Sequence, residues 1–332
     1  MGQALRLALI AAALTAMAPC TQASPADDFA RLVELAPPGG ALTDGIEMLG
    51  ALQLDTRAPD GMPVTGLSGL AWDEDEQRLY AVSDRGRLLH LAPVFGDGRL
   101  VSLDYLASYP LRDAHGAALS GSLQDAEDIA LENANNGIRG DTRLWISFER
   151  RPRVVRYTPE GRYRERARMP PGLDDPASYA TSNQALESLV LHPSRGLLTA
   201  SERPMEDDPP HEVSVRGLEG GRWQYPLASA PGSSLVALEI LPGGGLVALE
   251  RAFLSVFMPL VISLSAAELD DEGGVRVKRL ARLDTSRGWQ LDNFEGLARH
   301  ERDRFFIVSD DNGREAQRTL LVYLRLPELS AD

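Results

Sequence analysis

The sequence predicts an all-β chain folded as a β-propeller, with five to six four-stranded blades around a central channel. Three observations predict this. Short apolar runs of strand length come in pairs joined by polar turns. The pairs recur at a near-constant period, with opening residues at 68, 127, 187, 239 and 295, that is 59, 60, 52 and 56 positions apart. Acidic residues flank most pairs at the same two offsets, opening the first strand and closing the second. A fixed period of β units rather than helical ones marks a propeller instead of an α-solenoid.

The chain has 332 residues, is 43% hydrophobic and 25% charged, and carries a formal net charge of −14. That composition is ordinary for a globular protein, and no linker-like break divides the repeats. The negative balance excludes non-specific nucleic-acid binding and argues against docking on anionic lipid. It suits a protein that concentrates cations.

Residues 1–23 read as an export signal: Arg6 is a minimal basic region, Leu7 to Ala18 is apolar but too short to span a bilayer, and Thr21-Gln22-Ala23 is a small-residue cleavage site. The expected location is periplasmic or secreted. Cys20 is the only cysteine, so there is no intramolecular disulfide. Lipid attachment at Cys20 is not favoured, since Pro19 directly before it disagrees with a lipoprotein cleavage site. Residues 24–42 form a Pro/Gly-containing lead-in, and residues 43–330 form the propeller domain.

Ile46 to Leu54 reads as a strand that closes the ring against the last repeat. The first hairpin pairs Ser68-Gly69-Leu70-Ala71-Trp72 with Leu79-Tyr80-Ala81-Val82-Ser83-Asp84, with Ser68 in place of the opening acid. Runs 87–91 and 100–107 supply its outer strands. The second pairs Glu127-Asp128-Ile129-Ala130-Leu131 with residues 144–149, ending on Glu149, around a loop rich in Asn and Gly. The third runs from Glu187 to His192 and back to Glu202. The fourth starts at Glu239 and returns to Glu250, and the fifth runs from Glu295 to Asp310. The apolar run from Ala252 to Ala267 reads as buried strand. Thr319 to Leu326 is the terminal strand.

Simple antiparallel counting sets Glu295 opposite Asp310 and Glu187 opposite Glu202. Opposed side chains lie roughly 5 Å apart on one face, and two like charges there repel by about 3 kcal/mol at an effective dielectric near 20. Something positive is expected between them. In a propeller the innermost strands line the channel, and the start of a hairpin's first strand lies at the same edge as the end of its second. Asp84, Glu127, Glu149, Glu187, Glu202, Glu239, Glu250, Glu295 and Asp310 are therefore expected at one channel mouth as metal ligands. Hard oxygen donors in this number suit Ca²⁺, with Mg²⁺ as the alternative ion. Arginine follows several closing acids, and Arg85, Arg203 and Arg251 are candidates for binding an anionic group. The competing reading is a salt bridge from each arginine to its neighbour. There is no CxxC for zinc and no Gly-x-Ser-x-Gly elbow, and the five histidines show no ligand spacing.

The stretches Gly66-Leu67-Ser68-Gly69-Leu70, Ala81-Val82-Ser83-Asp84-Arg85, Ala185-Leu186-Glu187-Ser188-Leu189, Leu249-Glu250-Arg251, Asp292-Asn293-Phe294-Glu295-Gly296-Leu297 and Val308-Ser309-Asp310-Asp311-Asn312 resemble the "esterase-like activity of phytase" family of exported, propeller-like bacterial proteins. The resemblance covers about residues 46–326. It implies a propeller and a phosphoester or ester hydrolase acting on a small molecule. A metal-dependent reaction at the acidic mouth is the leading expectation. The alternatives are a non-catalytic envelope propeller that binds a ligand or partner at the same rim, and a calcium-dependent lactonase-like hydrolase.

Overall fold

The computed structural model describes residues 29–38, 44–181 and 183–330. The proposed export signal and Cys20 lie outside these residues. Two strands precede the repeats, β1 (Ala30–Leu32) and β2 (Glu47–Leu54). Blade one is β3 (Leu67–Asp73), β4 (Arg78–Ser83), β5 (Arg87–Gly96) and β6 (Arg99–Pro110); blade two is β7 (Ala126–Glu132), β8 (Arg143–Phe148), β9 (Arg153–Tyr157) and β10 (Tyr163–Arg166). Blade three is β11 (Leu186–His192), β12 (Gly196–Ser201), β13 (Glu212–Gly217) and β14 (Arg222–Pro226); blade four is β15 (Ser233–Ile240), β16 (Leu246–Ala252), β17 (Val261–Leu269) and β18 (Val275–Asp284). Blade five takes β19 (Asn293–Arg299), β20 (Arg304–Asp310) and β21 (Leu320–Arg325) from the end of the chain, then β2 and β1 from its beginning. Every pairing is antiparallel, including β2 on β21, which closes the ring as the sequence predicts.

There are five blades, the lower of the two expected numbers. The inner strands β3, β7, β11, β15 and β19 each contact the next around the ring, and β19 returns to β3. They are almost wholly buried, although each carries at least one acid. The core is divided among the wedges between blades. Phe306, Leu321 and Tyr323 of blade five pack on Leu70, Leu79 and Leu89 of blade one. Tyr80 and Leu88 meet Ile146 and Tyr157 of blade two. Burying each large apolar side chain contributes roughly 1.5–3 kcal/mol, so each wedge fastens its two blades firmly.

Each inner hairpin is interrupted by one β-bulge near its start. Pairing shifts by one residue between Leu67 and Gly69, Ala126 and Ile129, Leu186 and Ser188, Leu235 and Ala237, and Phe294 and Gly296. The extra residue is Ser68 in β3, Glu187 in β11, Val236 in β15 and Glu295 in β19; in β7 the bulge spans Glu127 and Asp128. Counting without a bulge puts Glu295 opposite Asp310, but Asn293 holds that place and Glu295 stands at the bulge. Glu187 likewise stands at a bulge, while Leu186 faces Ser201. A bulge inserts one residue and re-aims its side chain, which strict alternation does not anticipate.

Two further expectations change. β15 begins at Ser233, so Glu239 lies deep in the strand opposite Val247 and away from the hairpin's open end. The apolar run after Ala252 is not continuous strand. Residues 253–260 form a loop in which Leu254, Val256 and Phe257 are exposed, Phe257 by 93%. Pro259 has no N–H for a ladder. A turn closed by Met258 N–H donating to Ser255 O (3.0 Å) delays the strand to Val261.

Candidate functional site

The bulges set the site. In each hairpin the residue just before the bulge pairs with Ser83, Phe148, Ser201, Glu250 or Ser309, and the next residue along the second strand is, in chain order, Asp84, Glu149, Glu202, Arg251 and Asp310. Together with Glu127, Glu187 and Glu295 they form the hub at the open end of the inner hairpins. Seven of the nine sequence-predicted acids therefore converge: Asp84, Glu127, Glu149, Glu187, Glu202, Glu295 and Asp310. Their mutual repulsion is felt throughout, since Glu187 is opposed by Glu127, Glu202, Glu149 and Glu295, and Asp310 by Glu295 and Asp84.

Glu239 and Glu250 do not join them. Glu239 accepts from Ile240 N–H (2.7 Å) and Arg299 N–H (2.9 Å), tying blade four to blade five. Glu250 accepts from Tyr225 Oη (2.8 Å), Ala228 N–H (2.7 Å) and Ser233 Oγ (2.8 Å). Those three donors engage both oxygens of its carboxylate. The fourth blade instead presents Arg251 where the other blades present an acid.

Arg251 is the positive charge that the crowding calls for. It donates to Glu202 (3.1 Å), to Asn293 Oδ1 (2.6 Å) and to Glu295 through a short contact. Burial works against its charge, but Glu295, Glu202 and Glu187 outweigh it and raise its pKa. The other predicted arginines are placed differently. Arg85 is half-exposed and ion-paired with Asp84 at 3.3 Å. Arg203 donates to Gly232 O (3.2 Å), and its Nε is buried without a partner.

The hub carboxylates that Arg251 does not contact are the less compensated ones. Asp125, Glu127 and Glu149 are all buried and can each offer one oxygen such that the three lie within 4.8 Å of one another. Among the described residues no hydrogen bond reaches the Glu127 or Glu187 carboxylate. Glu149 accepts only from Ala185 N–H (3.2 Å), and Asp125 pairs with the half-exposed Arg150 at 2.9 Å. Burial, then Asp125 and Glu202, pushes Glu149 up to about 8 against the Ala185 hydrogen bond and Arg150. Burial, then Glu149, Asp125, Glu295 and Asp84, holds Glu127 far above the usual carboxylate range. Asp84 is pushed up to about 6 and Asp310 to about 8, in both cases first by burial. Three converging oxygens with few donors are the donor set of a hard cation, so the residues present fit a metal.

Asp125 is the candidate ligand that sequence counting missed. It lies two residues before Glu127, on the same side of an extended segment. The Asp125-Ala126-Glu127 spacing was a readable signal.

Two glycines bring blade one close enough to complete the hub. Gly66 has φ +65°, and an added Cβ would sit 1.8 Å from Asp84 Oδ1. Gly69 lets β3 press on β7, where an added Cβ would fall 2.6 Å from Asp128 Cα and 2.7 Å from Glu127 O.

The description "Phytase-like: Esterase-like activity of phytase" matches residues 62–313. The chain belongs to the phytase-like family. No curated protein matches this phytase-like propeller in sequence. Solved structures similar to it include the Dos1 propeller, at 11% identity and TM-score 0.36, covering 83% of this chain and 73% of that one. A luciferin-regenerating enzyme matches at 11% identity and TM-score 0.40, over 79% of this chain and 91% of its own. A gluconolactonase from Xanthomonas campestris matches at 16% identity and TM-score 0.38, over 92% and 98% of the two chains.

Proposed function

We propose that this phytase-like protein is an exported, metal-dependent hydrolase of small phosphate or acyl esters, working at the acidic hub. The observation that carries the reading is the trio Asp125, Glu127 and Glu149, whose oxygens converge within 4.8 Å in a buried setting. These three would hold the cation, with Glu187 and Asp84 beside them, and Ca²⁺ suits an all-carboxylate donor set best. A bound divalent cation supplies Lewis-acid polarisation of the ester and a more acidic water.

The chain's own residues supply the rest. Asp310, pushed up to about 8, is a carboxylate able to hold or take a proton near neutral pH. Arg85, half-exposed, would leave its ion pair with Asp84 to meet an anionic group on the substrate. Arg251 is committed to Glu202 and Glu295 and acts as a positioning residue. β16 ends at Ala252, and the exposed apolar loop 253–260 follows it directly from the hub edge. An apolar group on the substrate's alcohol or acyl side would find contact there.

The test is hydrolysis of a panel of phosphate and acyl esters by purified protein, in EDTA and then in Ca²⁺. Turnover is expected only with the cation. Glu127→Gln and Glu149→Gln should each lower it by more than the about 10–100-fold typical of outer-shell partners. Undiminished turnover in EDTA, or none under any condition, defeats the proposal. Arg251 favours a second reading, a non-catalytic propeller that binds a ligand at the same hub, because an internal cation already balances part of the charge. Calorimetry would then show Ca²⁺ or ester binding while the ester stays intact.

A further inference from the structure

A second recess lies on the opposite face, between blades one and two. Here β4 and β8 begin and β9 ends, so its walls come from strand ends far from the acidic hub. The cavity is about 630 Å³, large enough for a sugar-sized molecule. Unlike the hub, it is faced by arginines: Arg78, Arg143, Arg156 and Arg164 all line it.

Several polar atoms in this wall have no partner. Tyr80 is fully buried and lines the cavity, and its hydroxyl meets only the neighbouring Arg78 guanidinium, without a well-formed hydrogen bond. The Nε–H groups of Arg78 and Arg156 are buried and unpaired, and so is Asp141 Oδ1. Arg164 is exposed and has no carboxylate partner among the described residues. Nearby acids take only the terminal nitrogens of the other arginines: Glu76 lies 3.8 Å from Arg78, Glu132 3.8 Å from Arg143, and Glu132 and Glu165 3.6 and 3.1 Å from Arg156. Glu160 accepts from Thr158 (2.8 Å), so the two Nε–H groups and Arg164 stay open. Buried polar groups left without partners cost stability, and a wall of them is explained when a ligand supplies the missing atoms.

We propose that this interblade cleft is a second binding site, for a small polyhydroxylated anion. The chemistry follows from the open valences. Two guanidinium Nε–H groups and Arg164 require anionic or strongly polar oxygens. Asp141 Oδ1 requires a donor, which a ligand hydroxyl provides, and Tyr80 Oη both donates and accepts. A sugar acid or a sugar phosphate offers both kinds of atom; a bare cation or an apolar molecule offers neither.

The test is calorimetric titration of the full chain in EDTA, so that no cation at the hub recruits anions. The probes are glucuronate, glucose 6-phosphate and glucose. One of the two anions is expected to bind and glucose to bind much more weakly, and the preferred anion tells carboxylate from phosphate. Tyr80→Phe keeps the ring's packing and removes only the hydroxyl. It and Arg164→Ala should each weaken the preferred anion by about tenfold, the contribution of one hydrogen bond to an ion. Neither should lower the Tm, and Glu127→Gln at the hub should leave this binding unchanged. Absence of binding by either anion, or equal affinity in wild type, Tyr80→Phe and Arg164→Ala, overturns the proposal.

Discussion

Arg251 carries the heaviest duty of any single residue. It is the buried cation among seven hub acids, in contact with Glu202 and Glu295 and felt by Glu187. Breaking a buried pair by removing one partner is costly because the other charge is stranded. Arg251→Gln should therefore destabilise the metal-free protein by about 3–5 kcal/mol, read from urea unfolding. Added Ca²⁺ should restore part of that loss. A variant that unfolds at the wild-type urea concentration would show that the hub acids are balanced some other way. Sequence pattern alone pointed to Glu250 as the rim acid of blade four. One position separates it from Arg251, and only the bulge between Leu235 and Ala237 shows which of the two reaches the hub.

At the scale of the element, the repeated bulge is the device that builds the site. Without it Glu187 and Glu295 would follow strict alternation along their strands; with it their side chains are re-aimed near the channel. The bulges work only if the inner strands approach closely. Gly69 is where β3 meets β7, and there is no room for a side chain against Asp128 Cα at 2.6 Å. Asp128 in turn accepts Leu189 N–H at 2.8 Å and fastens β7 to β11. Gly69→Ala is expected to cost about 1–3 kcal/mol by overpacking. It should also weaken Ca²⁺ binding, since the backbone it displaces carries Glu127. Thermal unfolding and calorimetry on the same variant check both; a loss of stability with unchanged affinity would separate the joint from the site.

For the whole molecule the hub makes stability depend on pH. Glu149 rises from an ordinary 4.5 to about 8, Asp310 from 3.8 to about 8, and Asp84 from 3.8 to about 6. The folded state thus holds protons that the unfolded chain releases between about pH 4 and pH 8. Stability is then greatest at the acidic end of that window and falls as pH rises through it. The acids titrate as a coupled group, so the effect is on the order of a few kcal/mol in total rather than a sum of separate sites. In EDTA the Tm should be higher at pH 5 than at pH 8. In Ca²⁺ the decline should be smaller, because a cation bound by the ionised form offsets the repulsion. A metal-free protein whose Tm increases across that range would contradict the charge state assigned to the hub.

The sequence by itself determined the strands, their pairing into repeated hairpins and the strand from Ile46 to Leu54 that closes the ring, because period and apolar alternation are local properties. It also determined that acids gather at one end, since hairpin topology puts a first strand's start beside a second strand's finish. Tertiary structure alone decided the rest. A bulge shifts register by one residue, and that shift placed Arg251 rather than Glu250 at the hub. The start of β15 at Ser233 left Glu239 inside the strand and bonded to Arg299, and the packing of the hub brought Asp125 into reach of Glu127 and Glu149. The cleft beside Tyr80 was equally invisible, because its walls come from two blades and no stretch of one chain segment records which polar atoms the neighbouring blade leaves unpaired.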